Sequence, residues 1–251
     1  MIYTRNGAEA LAKRVDVISP GTGIRHWGTV FFGPRSSSGP GPGPQATMSE
    51  LTPNESVMPH FHGVSMFQLF IDGSGTVGNR GQQLNPLTVQ FKDHHTAYGP
   101  IVAGPQGLAF VAMRIFTGNS EPVYLDKPGY RDRLKPSKRR NVSSEPIVFS
   151  VEPVMQHREA PVWETLLEDP QDGMHAQVVR IGAGQSVPGP DPHLAGGYYV
   201  FVGAGSMVHD GQELPKWSMV AVENNEAGYL IQAGSKGVEA LVLQYPRGDL
   251  D

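Results

Sequence analysis

The feature that most constrains the fold of this chain is an internal repeat. When the 251-residue sequence is compared with itself at an offset of 130 residues, its turn glycines coincide without gaps. Gly73-Ser74-Gly75 aligns with Gly203-Ala204-Gly205, and Ala103-Gly104 aligns with Ala233-Gly234. Glycine adopts positive φ angles without the steric cost that other residues bear, so shared glycine positions indicate shared turns. We therefore expect one fold to be present twice.

The composition favours an all-β chain. Glycine (31 residues) and proline (22) are abundant, and long amphipathic helical patterns are few, which is typical of many short strands joined by turns. The chain has no cysteine, which excludes disulfides and thiolate chemistry. The net charge of −4 gives no general attraction to nucleic acid or anionic membrane. With no apolar signal core or spanning segment, we expect a cytoplasmic protein without nucleic-acid or membrane partners.

The repeat predicts three regions. An N-terminal domain spans residues 1–116, a linker spans 117–145, and a C-terminal domain spans 146–251. The linker is assigned because the segment is polar, charged and interrupted by prolines. Its basic cluster at 131–140 is interpreted as solvated, with contact to an anionic substrate as the less favoured alternative. Since two copies of a fold often resemble a dimer, a homodimer of the whole chain is a further expectation.

The stretch Pro59-His60-Phe61-His62 carries the strongest chemical signal. Side chains two residues apart on an extended strand point to the same side, so His60 and His62 can bind one metal ion. A third imidazole is expected from His94 or His95, which follow a strand-like run. The alternative is that these are ordinary polar histidines in turns.

The second copy has lost these histidines. His60 and His62 align with Pro190 and Pro192, and His94-His95 aligns with Asn224-Asn225. Proline offers no side-chain ligand and asparagine is a poor replacement for imidazole. The joint loss favours one site built from both histidine clusters, present in the first copy alone.

These residues resemble the cupin superfamily, whose first motif is G(x)5HxH(x)3-4E(x)6G. In this chain Asn54, His60, His62 and Gly73 match its spacing, while Met66 stands where cupins commonly place a metal-binding glutamate. The second motif, G(x)5PxG(x)2H(x)3N, is weakly kept, and its spacing favours His95 over His94. The resemblance implies two tandem cupin domains of the double-stranded β-helix or jelly-roll type, with the metal site retained in the first.

The resemblance also implies roles for the neighbouring residues. Gln68 lies two residues beyond the glutamate position and is expected to orient a histidine or water by a hydrogen bond. Tyr98 is the candidate general acid or orienting hydroxyl. Met66 is expected to fill the core, because thioethers bind hard ions poorly. Arg114, on a predicted strand, is a secondary candidate for contact with a substrate carboxylate.

A three-histidine centre without a carboxylate predicts a divalent metal with exchangeable positions, Fe(II) being favoured and Zn, Ni or Mn being alternatives. The leading expectation is a dioxygenase that acts on a small organic acid or carbonyl compound. Two alternatives stay open: a metal-dependent isomerase or lyase that does not use O2, and a non-enzymatic protein that binds a small ligand.

Overall fold

The structure, a computed structural model, describes residues 1–18, 23–35, 41, 43–116 and 118–248. The chain divides into two compact units. One is Lys13–Ile147, and the other combines Met1–Ala12 with Val148–Asp251. Among the described residues, no helix is long and apolar enough to span a membrane.

The unit Lys13–Ile147 is a rolled antiparallel sheet. Its strands are β2 (Val15–Ile18), β3 (Arg25–Phe32), β4 (Gln45–Leu51), β5 (Ser56–Val57), β6 (His60–Phe61), β7 (Met66–Val77), β8 (Gln82–Leu84), β9 (Thr88–Lys92), β10 (Ile101–Arg114), β11 (Val123–Tyr124) and β12 (Asn141–Ser143), with a 3-10 helix at Tyr130–Arg133. The main sheet has the order β12-β9-β7-β10-β4-β3-β2, and β6 pairs with β11 in a separate ribbon.

The other unit repeats this topology. It contains β1 (Ile2–Arg5), α1 (Gly7–Leu11), α2 (Glu152–Gln156), β13 (Val162–Asp169), β14 (Met174–Ile181), β15 (Ser186–Pro188), a 3-10 helix at Pro192–Leu194, β16 (Tyr198–His209), β17 (Gln212–Pro215), β18 (Met219–Val222) and β19 (Leu230–Gln244). Its sheet order, β1-β18-β16-β19-β14-β13, matches the order β12-β9-β7-β10-β4-β3 of the first unit, in which β2 is one strand more. The repeat seen in the sequence is therefore a repeat of the fold.

At one bulge, the glycines of the two units correspond differently from the ungapped sequence alignment. In the first unit Gly73 has φ +74°, and a Cβ there would lie 2.2 Å from the carbonyl oxygen of Gly107. In the second unit the same contact joins Gly205, with φ +72°, to the oxygen of Gly237 at 2.1 Å. Gly205, and not Gly203, is thus the counterpart of Gly73, because the ungapped alignment slips by two residues at this bulge.

The units differ from the sequence-based boundaries at both ends of the first domain. Ile2–Arg5 pairs with Met219–Val222, so the first residues complete the sheet of the second copy. Within the predicted linker 117–145, Val123–Tyr124 pairs with β6 and Asn141–Ser143 pairs with β9. Backbone ladders therefore tie this segment to the first unit, where it borders the histidine stretch.

Each unit has its own apolar core. In the unit Lys13–Ile147 this core includes Leu51, Met66, Phe70, Tyr98 and Ile101. Residues 66–71 of β7 are all buried, so both faces of this strand lie inside the protein. Packing therefore holds β7, the strand that carries Met66 and Gln68, on both sides.

Candidate functional site

His60 and His62 lie side by side in the interior of the first unit. Their ring centroids are 5.0 Å apart with the rings almost perpendicular, and both side chains are buried. Phe61 between them is fully buried and points to the opposite side. The two imidazoles therefore lie on the same side of this segment.

Backbone carbonyls fix the tautomer of both rings. Nδ1 of His60 lies 2.7 Å from the carbonyl oxygen of Met58, and Nδ1 of His62 lies 2.7 Å from that of Ser120. A carbonyl oxygen can only accept, so each Nδ1 carries the hydrogen and each Nε2 presents a lone pair.

Both lone pairs are satisfied by donors from the chain itself. The Tyr98 hydroxyl donates to Nε2 of His60 at 2.7 Å, and Nη2 of Arg114 donates to Nε2 of His62 at 3.1 Å. The same guanidinium donates to Oε1 of Gln45 at 2.8 Å and lies 3.2 Å from the sulfur of Met66. A permanent cation therefore stands directly against the histidine pair.

Burial keeps the histidines and the tyrosine neutral at pH 7. Desolvation lowers the pKa of His60 to about 4, with the hydrogen bond to Met58 opposing it and the Arg114 charge adding to it. Desolvation and the same Arg114 charge hold the pKa of His62 well below its usual range. Burial also raises the pKa of Tyr98 above its ordinary value. Arg114 thus carries the charge of the cluster.

A second buried cation stands against the cavity wall. The ammonium of Lys92, which is 1% exposed, donates to Oε1 of Gln68 and of Gln90, both at 2.7 Å. It also lies 4.6 Å from the ring centroid of Tyr98. Desolvation lowers the pKa of Lys92 to about 7. Gln68 therefore contacts an ammonium, although the sequence suggested that it orients a histidine or water.

A cavity of ≈ 560 Å³ opens onto these groups, a volume suited to a small molecule. Its wall combines apolar side chains with several basic ones and a single acidic residue, the exposed Glu121. The polar and aromatic lining residues are His26, Arg35, Thr47, Ser49, His60, His62, Gln68, Tyr98, Phe110, Arg114, Ser120, Glu121, Tyr124, Lys127, Tyr130 and Arg133. The electrostatic character of the cavity is therefore cationic.

The structure does not bring His94 or His95 to the histidine pair. The ring of His95 packs 5.6 Å from that of Phe61 and 5.4 Å from that of His94. Because Phe61 points away from its two histidine neighbours, His95 lies on the wrong side of the strand to join them. Within the described part of the chain, no group of three His, Cys, Asp or Glu side chains is placed to hold a metal ion.

A shift of the second motif explains this result. His95 has φ +55°, a left-handed conformation that favours glycine, and histidine is among the other residues enriched there; it can therefore stand at the glycine of the motif's PxG. Three residues after that glycine position the motif has its histidine, and here stands Tyr98. Tyr98 thus stands at the spacing of the motif's histidine, and its hydroxyl bonds to His60. Its spacing from His95 was visible in the sequence, but the left-handed conformation was not.

Met66 behaves as the sequence suggested. It is 1% exposed and belongs to the apolar core, while its sulfur contacts Arg114 and lies 3.9 Å from the Tyr98 hydroxyl oxygen. A glutamate at this position would place a carboxylate beside Arg114. The thioether of Met66 brings no negative charge to that guanidinium.

The donor set, as arranged, does not fit a divalent metal ion. The two imidazole lone pairs have suitable orientation, since ligating histidines commonly donate their other nitrogen to a carbonyl. The remaining groups are a neutral phenol, a thioether and a guanidinium, and hard cations require oxygen anions or further imidazoles. The Arg114 charge would also repel a metal bound to the same Nε2 atom.

Known structures share this fold. A proposed dioxygenase from Nostoc punctiforme PCC 73102 aligns at TM-score 0.62 and 13% identity, over 99% of this chain and 84% of that chain. A bacterial pirin from Escherichia coli in complex with nickel(II) aligns at TM-score 0.56 and 12% identity, over 98% and 99%. A salicylate 1,2-dioxygenase from Pseudaminobacter salicylatoxidans aligns at TM-score 0.56 and 14% identity, over 97% and 84%.

These similarities establish the fold. The neighbours are cupins, so the all-β prediction of two tandem cupin domains is confirmed. Protein-family models and curated protein sequences give no match. At these identities the shared architecture carries no assignment of activity.

Proposed function

We propose that the cavity of the unit Lys13–Ile147 binds a small organic acid and moves a proton on it without a metal ion. The observation that carries this proposal is the position of Arg114, a buried guanidinium hydrogen-bonded to Nε2 of His62. Arg114 would supply, as a fixed cation, the positive charge against which an acidic ligand is held.

The charge distribution supports an anionic ligand. Arg114 and Lys92 are both buried, and the buried acid of this unit among the described residues, Asp93, is paired with Arg140 at 2.8 Å. Two opposite charges 4 Å apart attract by about 4 kcal/mol at an effective dielectric constant of 20. A carboxylate that enters the cavity is therefore attracted by the buried charge of Arg114.

The Tyr98–His60 pair supports proton transfer. In the free protein the Tyr98 hydroxyl donates to Nε2 of His60. If a ligand oxygen replaces that acceptor, the phenol can donate to the ligand and Nε2 of His60 becomes available as a base. Arg114 and Tyr98 together can then stabilise an enolate oxygen. This arrangement suits isomerisation or carbon–carbon cleavage of a carbonyl acid.

The test uses protein treated with EDTA and a panel of acetate, pyruvate and acetoacetate. Titration calorimetry gives the affinities, and proton NMR in D2O follows exchange beside the carbonyl group. Arg114→Gln should weaken binding by about 1.5–3 kcal/mol, since it removes a charge-assisted hydrogen bond, or roughly 10- to 150-fold. Arg80→Gln, at an exposed arginine outside the cavity wall, is the matched control. Binding that is absent, or indifferent to Arg114, would refute the proposal.

The second candidate is the metal-dependent oxygenase expected from the sequence, with Fe(II) favoured. Its support is the inward orientation of the His60 and His62 lone pairs and the nickel(II) complex of the similar pirin. Elemental analysis of protein purified without added metal distinguishes the two. About one metal per chain, lost in the variant His60→Ala/His62→Ala, would favour this candidate over the metal-free one.

A further inference from the structure

We propose that Arg35 is a second anion-binding residue of the same cavity, so that the ligand carries two acidic groups. This inference rests on the proposed function, which supplies the first group with Arg114. It narrows the ligand to a dianion, such as a dicarboxylate, with one acid near each arginine.

The guanidinium of Arg35 is held in place by two hydrogen bonds, and its charge has no acid beside it in the part of the chain that the structure describes. Nη2 of Arg35 donates to Oγ of Ser49 at 3.3 Å and to Nε2 of the buried His26. Arginine has no acceptor, so His26 must present its lone pair. Nη1 of Arg35 is buried and has no hydrogen-bond partner among the residues that the structure describes. A buried donor of this kind costs free energy unless a ligand satisfies it.

The neighbouring strand leaves space for this guanidinium. Gly28 lies in β3, and a Cβ built there would be 2.2 Å from Nη1 of Arg35 and 3.0 Å from Cζ. Any other residue at this position would push the arginine out of its place. Gly28 does not have the positive φ angle that would require glycine for the backbone. The space that its missing side chain leaves for Arg35 is therefore a reason for glycine at this position.

One strand face connects the two arginines. Gln45, Thr47 and Ser49 alternate along β4 and share a side. Gln45 holds Arg114, Ser49 holds Arg35, and Thr47 lines the cavity between them. Four residues of extended chain span about 13 Å. Arg35 and Arg114 both line the cavity, and two such long side chains can hold their guanidinium groups closer together than their anchors on β4.

The remaining charges around Arg35 do not neutralise it. No carboxylate forms an ion pair with Arg35 within the described residues, and Glu121, the acidic residue of the cavity wall, is exposed. An anion in the cavity, which Arg35 lines, would neutralise its charge.

The experiment compares diacids with their half-esters, which have nearly the same length and one charge fewer. Malonate, succinate, glutarate and adipate are titrated beside their monomethyl esters into EDTA-treated wild type, Arg35→Gln and the control Arg80→Gln. We expect the best diacid to bind wild type at least tenfold more tightly than its half-ester. Arg35→Gln should reduce this ratio below about twofold, while Arg80→Gln keeps the wild-type ratio.

The two proposals fail in distinguishable ways. Half-esters that bind wild type as tightly as diacids, with dependence on Arg114, would overturn the role of Arg35 and leave the organic-acid site standing. If Arg35→Gln lowered the affinities for diacid and half-ester by the same factor, the role of Arg35 would also be overturned and the organic-acid site would stand. No binding of any acid to wild type would reject both proposals. The wild-type comparison needs no variant, so it decides the matter even if Arg35→Gln does not fold.

Discussion

Lys92 gives the sharpest physical prediction, because its side chain is buried beside amides and an aromatic ring. Its ammonium contacts Gln68, Gln90 and the face of Tyr98, and none of these is an anion at pH 7. Arg114, His60 and His62 also lie near this cluster, and they bring no negative charge. Burial therefore lowers the pKa of Lys92 from 10.5 to about 7.

The magnitude follows from linkage. Between pH 7 and 10.5 the unfolded chain keeps the Lys92 proton that the folded chain has released, so the free energy of unfolding rises with pH. Below pH 7 both states are protonated, and the folded state bears the whole cost of the buried charge. The pKa of Lys92 falls from 10.5 to about 7 on folding. At ~1.4 kcal/mol for each pH unit, this fall limits the cost of the buried charge to the unfolding free energy to roughly 5 kcal/mol.

The perturbation is Lys92→Met, which keeps an unbranched chain and removes the titrating group. We expect the unfolding free energy of wild type to rise between pH 7 and 10 by up to ~1.4 kcal/mol per pH unit more than that of the variant. Urea denaturation followed by tryptophan fluorescence at pH 7, 8, 9 and 10 measures both curves. Lys236→Met, at a side chain that is 58% exposed, is the control and should run parallel to wild type. Parallel curves for wild type and Lys92→Met would refute the buried-ammonium reasoning.

Two further substitutions test packing around buried polar groups. Tyr98→Phe leaves Nε2 of His60 buried without its donor, so we expect a loss of about 1–3 kcal/mol in unfolding free energy, measured by urea denaturation. Tyr130→Phe is the control. A loss in Tyr98→Phe no larger than in this control would contradict the hydrogen bond between Tyr98 and His60. Glu239 is fully buried and pairs with two arginines, so Glu239→Gln should cost about 3–5 kcal/mol. Glu164→Gln, at a side chain that is 51% exposed, should cost under about 1 kcal/mol. Equal losses of unfolding free energy for Glu239→Gln and Glu164→Gln, measured by thermal unfolding, would contradict the buried pairing of Glu239 with its two arginines.

Local patterns predicted much of the architecture and half of the histidine cluster. The all-β class and the duplication follow from turn glycines, whose requirement at Gly73 or Gly205 is a property of the local backbone. The orientation of His60 and His62 follows from the two-residue period of a strand. Such features depend on neighbours in the sequence, so sequence reasoning could reach them.

The rest of the site depends on contacts between distant segments. Arg114 meets His62 across 52 residues and Lys92 meets Gln68 across 24, and no local pattern states that these cations are buried. The side on which His95 packs was decided by its left-handed backbone and by Phe61.

The sequence by itself determined a duplicated cupin fold with one histidine pair. Only the tertiary structure decided that Tyr98 and Arg114, and not a third histidine, complete the cluster. The physical reason is that strand periodicity and turn geometry are local, whereas burial, charge and hydrogen-bond partners are set by which strands the sheet brings together.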